Sequence, residues 1–159
     1  PRDIVISSGF YHKKSSEDWL HKQRKEFGGL TYQEYVNKMK SMEDVFLFEL
    51  DHVAGLTIND VLNWDYSRGF VELKYEDLVT REGGQVFEQA LEQWPMSACE
   101  KSLLGKLFEY YSVFGGGGGK KSNHVRDPRS RQFEEHFTEK INRDFNNRFP
   151  DAVEKLGYK

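Results

Sequence analysis

The chain has one cysteine, Cys99, among 159 residues, and that scarcity excludes an internal disulfide. A lone cysteine is more often a small buried hydrophobe than a nucleophile, so Cys99 by itself points to no chemistry. No apolar run approaches the roughly 20 residues that a membrane-crossing helix needs, and no signal peptide is visible. Charge of one sign is also lacking: 31% of residues are charged, yet the net charge is −3. That balance argues against a nucleic-acid partner, and it requires any anion site to be built from a few placed groups. The five histidines, His12, His21, His52, His124 and His136, show no spacing suited to metal ligation. No internal repeat is evident. What the chain does have is aromatic and apolar mass, 14% and 37% of residues, enough for one domain with a real core. A reducing, cytoplasmic setting is the expectation that fits a single thiol.

Local patterns predict a helix-rich chain with two strands. Asp3-Ile4-Val5-Ile6-Ser7 is a short β-branched run that suits a buried parallel strand. Ser16-Glu17-Asp18 opens a helical pattern with a serine cap and an acidic first turn. Thr31-Tyr32-Gln33-Glu34 is a capping box, with Tyr35, Val36, Met39 and Met42 following at helical spacing. Val45 to Phe48 is an apolar run of ambiguous type. Thr57 looks like a further cap. Phe70 to Tyr75 predicts a second strand, less fully covered than the first. Val86, Phe87, Ala90, Leu91 and Trp94 mark one face of an amphipathic helix ended by Pro95. Ser97 and Glu100 form another capping box before Leu103, Leu104, Leu107 and Phe108. Thr138 caps a last helix with Ile141 and Phe145 four apart, and a short turn or helix follows Pro150. The five glycines Gly115 to Gly119 open a segment, 115–123, in which backbone entropy favours a mobile surface loop. That run is no Walker loop: Phe114 stands at the first required glycine and Lys121 where the hydroxyl belongs. Two strands cannot make a sound sheet alone, so further strands are expected upstream of Pro1.

Three motifs then stand out in order: Pro1-Arg2-Asp3-Ile4-Val5-Ile6-Ser7, Lys74-Tyr75-Glu76-Asp77-Leu78, and His124-Val125-Arg126-Asp127 through Gln132-Phe133-Glu134-Glu135-His136-Phe137. Together they resemble the nucleotide-side motifs of sulfotransferases that use 3′-phosphoadenylyl sulfate (PAPS). The resemblance covers nearly the whole chain, to the terminal Lys155-Leu156-Gly157-Tyr158. It implies an α/β fold: a partial P-loop-NTPase-like sulfotransferase fold, helix-rich, with few parallel strands retained. Residues 1–159 would be the C-terminal part of a single sulfotransferase domain, because the family's opening Arg-x-Pro-[Arg/Lys]-Asp pattern is met here from its third residue.

The resemblance also implies roles. Ser7 would bind the nucleotide 3′-phosphate, at the end of its strand. Tyr75 would lie at the adenine, where a ring with a hydroxyl can stack and hydrogen-bond at once. Ser112 and Phe114 match an adenine-side pair. Arg126 would grip the 3′-phosphate with its guanidinium fork, followed at the family spacing by Phe133 and Phe137-Thr138. The pattern departs at Asp127, where Lys is common, at Pro128, which has no N–H to donate where Gly is usual, and at Arg131, where another Gly is usual. Arg129 or Arg131 is the candidate replacement for the lost contact. Glu76 and Asp77, adjacent on one strand end, point to opposite faces and make a poor acid/base pair.

The implied reaction is sulfuryl transfer from PAPS to a hydroxyl or amine of a small-molecule or glycan acceptor, releasing adenosine 3′,5′-bisphosphate (PAP). The family's catalytic base and phosphate-loop lysine would both precede Pro1, so no catalytic residue is assigned within the chain. His12 is placed where it could face the acceptor. Two other classes remain: a kinase-like nucleotide enzyme, for which no Mg²⁺-ligand pattern is visible, and a non-catalytic helical interaction module derived from a nucleotide-binding fold.

Overall fold

The computed structural model describes every residue except 66, 68, 116–126, 128 and 159. The described residues form helices α1 (Arg2–His12), α2 (Tyr32–Asn37), α3 (Met42–Asp51), α4 (Val53–Leu62), α5 (Tyr75–Leu78), α6 (Gly83–Leu91), α7 (Ala98–Tyr111), α8 (Phe133–His136), α9 (Glu139–Arg148) and α10 (Ala152–Lys155). Two 3-10 turns, Asp18–His21 and Lys25–Phe27, precede α2. Among the described residues there is no strand, only an isolated antiparallel bridge between Gln23 and Thr31. The expected α/β class with parallel strands is therefore overturned. No helix among the described residues is long and apolar enough to cross a membrane.

Both expected strands fail for identifiable reasons. The Asp3–Ser7 run lies inside α1, where Val5, Ile6, Gly9 and His12 are the buried positions. That is a stripe at three- and four-residue spacing, and β propensity is too weak to override it. Gly9 completes the stripe because a Cβ there would lie 2.7 Å from Phe46 Cδ1, so only glycine lets α1 approach α3 this closely. Residues 69–74 form no regular element, and Tyr75 instead begins α5. An extended segment without a ladder partner gains nothing as a strand, and Phe70 remains 54% exposed.

The caps fared better. Thr31 Oγ1 accepts from Glu34 N at 3.2 Å while Thr31 N donates to Glu34 Oε2 at 2.8 Å. Ser97 and Glu100 repeat that box at the start of α7. Thr138 Oγ1 accepts from Ile141 N and opens α9, whose Ile141 and Phe145 are fully buried. The helix expected to run from Thr31 to about Met42 stops at Asn37, and Ser41 caps a new helix, α3. The ambiguous run Val45–Phe48 is part of that helix. Thr57 is no cap: it sits inside α4 and its hydroxyl donates to Val53 O. The Ser16 pattern yields only the short turn Asp18–His21.

The chain divides into two compact units. The first comprises Pro1–Trp64 with Arg131–Lys159, the second Asp65–Ser130. The first holds both hydrophobic clusters. Val5 and Ile6 of α1, Phe46 and Leu50 of α3, Ala54 and Ile58 of α4, and Ile141 and Phe145 of α9 form one. Leu20, Phe27, Tyr32, Val36 and Val45 form the other. In the second unit α6 packs on α7, with the Phe87 and Phe108 rings stacked 4.5 Å apart. Few side chains are buried there, Ala90 and Leu91 among them. Residues 116–123 of the expected glycine-rich loop lie outside the described residues.

Candidate functional site

The first and last motifs meet in the first unit. Asp3, in the opening turn of α1, accepts from Arg131 N at 2.5 Å through Oδ2 and from Phe133 N at 2.8 Å through Oδ1. Partners 128 and 130 residues apart are thus joined by one carboxylate. Arg2 adds to the junction, its guanidinium 5.0 Å from the Phe133 ring centroid and 5.6 Å from that of Phe145, within cation–π range. Arg131 itself has φ 63°, the one positive-φ non-glycine residue among those described. L side chains crowd the carbonyl there, and glycine is the residue that sits without cost. The Asp3 bond to its N–H holds this strained turn in place.

Ser7 sits in the middle of α1 with its side chain exposed, off the buried stripe. It is not at a strand end, which corrects the expected geometry, but it is accessible to a ligand. Arg126 and Pro128 lie outside the described residues. Asp127 and Arg129 hold each other: Arg129 Nη2 donates to Asp127 Oδ2 at 2.7 Å, and Arg129 Nε and backbone N reach the same carboxylate.

The second unit contains an open cleft of about 500 Å³ that joins two of the expected residues, Ser112 and Phe114. Arg81 and Lys106 also line it, with Glu109 and Tyr110. Ser112 Oγ donates to Glu109 O at 2.9 Å, so its remaining capacity is as an acceptor, suited to an amino group rather than to a phosphate oxygen. Tyr75 opens α5 with 49% of its surface exposed, and Leu78 of the same helix lines the cleft.

His12 does something other than face an acceptor. It is buried, and its Nδ1 lies 2.7 Å from Glu49 Oε1. Tyr32 OH donates to the same oxygen at 3.1 Å. Glu49 is fully buried and its Oε2 has no partner. One carboxylate therefore ties α1, α2 and α3 together. Burial first, then the Glu49 charge and its hydrogen bond, push the Tyr32 phenol well above its ordinary value. Trp19 closes the node edge-on, 5.2 Å from the His12 ring. Sequence reasoning missed Glu49 and Tyr32 in this role; the available signal was a lone acid inside the apolar run Val45–Leu50. Arg81 and Lys106 gave no sequence signal, because nothing in their spacing distinguishes them from solvated cations.

Among the described residues no three His, Cys, Asp or Glu side chains gather as a metal site. No protein-family model, curated protein or solved structure matches the chain.

Proposed function

We propose that this chain carries the nucleotide-side residues of a PAPS-dependent sulfotransferase, which moves a sulfuryl group to a hydroxyl or amine of a small-molecule or glycan acceptor and leaves PAP. The observation that carries the reading is the junction at Asp3. The motifs at the two ends of the resemblance are hydrogen-bonded to each other. Residue 131, where the family has glycine, also adopts the left-handed backbone that glycine favours. In this reading Ser7 and Arg126 serve the 3′-phosphate, and Tyr75, Ser112 and Phe114 serve the adenine. Attack is in line, and placed cations and N–H groups stabilise the charge on the departing phosphate. The chain's own contribution is binding and orientation; none of its described residues is assigned as the base.

The test is a titration of the ¹⁵N-labelled 159-residue chain with PAP and with adenosine 5′-monophosphate (AMP). The 3′-phosphate should tighten binding by about tenfold or more, as a charge-assisted contact does, and should shift the Ser7 amide. Equal affinity for the two nucleotides overturns the reading. A specific observation favours a second reading, the helical interaction module. Leu103, Leu107 and Tyr110 of α7 are 57%, 42% and 55% exposed and recur at three- and four-residue spacing. That reading takes over when neither nucleotide binds.

A further inference from the structure

We infer that the cleft of the second unit is a self-contained site for a nucleoside monophosphate, with Arg81 and Lys106 holding the phosphate and the Phe114 ring carrying the base. The inference rests on the sulfotransferase reading for the adenine, but not for the phosphate, because neither cation belongs to a motif of the resemblance.

The argument starts from the lining. A volume of about 500 Å³ falls within the usual range of small-molecule sites and is far more than a free phosphate fills. Phe114 and Tyr110 are 54% and 55% exposed, so each offers a ring face to water. Such faces are what a planar base stacks on, with little regard to sequence. Phe108 also lines the cleft, and its ring is braced by stacking on Phe87, so that wall is stiff. Arg81 and Lys106 form no ion pair with any described residue. Lys101, on the same helix as Lys106, is by contrast tied to Glu92 at 2.6 Å. A guanidinium and an ammonium on one cleft suit a tetrahedral oxyanion, the first as a fork and the second as a point charge. Glu109 supplies the only negative side chain in the lining, leaving a net single positive charge. That balance favours one phosphate group over a di- or triphosphate chain. Ser112 Oγ, its hydrogen committed to Glu109 O, is left to accept from an exocyclic amine of the base.

AMP, adenosine and inorganic phosphate are titrated into the ¹⁵N-labelled chain. AMP should shift the amides of Leu78, Arg81, Lys106, Ser112 and Phe114, and should bind about tenfold or more tightly than adenosine, the gain expected of charge-assisted contacts. The double variant Arg81→Gln with Lys106→Gln should erase that gain and leave adenosine binding unchanged; both side chains are exposed, so the fold is retained. Phe114→Ala should weaken AMP and adenosine alike. Equal binding of AMP and adenosine overturns the inference. So does a double variant that binds AMP like the parent, and so do shifts confined to residues outside the cleft. Failure here is separable from failure of the sulfotransferase reading. PAP that still binds with a Ser7 shift to the Arg81→Gln, Lys106→Gln variant, as tightly as to the parent, sinks the cleft phosphate site alone.

Discussion

Removing the Glu49 carboxylate should be far more damaging than removing the whole polar node. Glu49 is fully buried and accepts from Tyr32 while bonding His12. In Glu49→Ala the His12 nitrogen and the Tyr32 hydroxyl, both in residues less than 5% exposed, lose their partner. Each unsatisfied buried polar group costs about 1–3 kcal/mol, and the emptied volume adds to that. The sum is about 3–5 kcal/mol, the range found when one member of a buried pair is deleted. Replacing all three residues by apolar ones of similar size, Glu49→Met with His12→Leu and Tyr32→Phe, removes every orphan at once. It should recover most of the loss, because apolar replacement of a buried polar cluster is often close to neutral. Urea denaturation reads both variants. Trp19 lies 5.2 Å from His12, so emission followed with Trp64 and Trp94 changed to Phe reports on this node. A loss below about 1 kcal/mol in Glu49→Ala would refute the reasoning. So would a triple variant no more stable than the single one, since the cost would then lie in shape rather than in unmet hydrogen bonds.

Two further outcomes follow from particular atoms. At residue 131, φ 63° costs an L residue about 1–2 kcal/mol over a right-handed conformation, whereas glycine pays only its extra chain entropy of about 0.5–1 kcal/mol. Arg131→Gly should therefore be neutral or slightly stabilising in thermal melts, and Arg131→Val clearly destabilising; a Gly variant that melts like the Val variant would show that the turn is not what the side chain opposes. The second outcome concerns pH. The Tyr32 phenol is raised from 10.0 by burial and by Glu49, so the native state keeps a proton that the unfolded chain loses. Its contribution is complete below pH 10 and falls away as pH rises above it, by up to about 1.4 kcal/mol per pH unit. Stability measured from pH 9 to 11 should fall less steeply in Tyr32→Phe than in the parent, and parallel slopes would reject the assignment.

What the sequence revealed was chemistry confined to one turn. Thr31 with Glu34, Ser97 with Glu100, and Thr138 each satisfy helix N–H groups within three residues, so their partners lie in the same short window as their signal. The strands were misread because their evidence was local while the outcome was not. Val5 and Ile6 favour a strand in isolation, but Gly9 and Phe46, 37 positions apart in the chain, decide the issue by allowing a helix to pack closely. The 70–75 segment failed for the complementary reason: its alternation describes a surface that needs a neighbouring strand, and among the described residues none is present.

The same distinction applies to function. Ser7, Tyr75, Ser112 and Phe114 were named from motifs, and each proves accessible or lines the cleft, but their motifs gave no hint of Asp3. Asp3 was legible only as part of an opening pattern, and its work is done on backbone N–H groups at Arg131 and Phe133. No residue type at those two positions is required for a backbone donor, so no sequence pattern there could announce the contact. What a sequence can announce is the price of the geometry that contact imposes. A carboxylate that gathers two N–H groups two residues apart needs the chain to turn sharply between them, and such a turn puts a residue at positive φ. Glycine is the family's residue there and Arg131 is this chain's, so the departure that looked like a lost phosphate contact is better understood as strain carried by a turn that Asp3 holds shut.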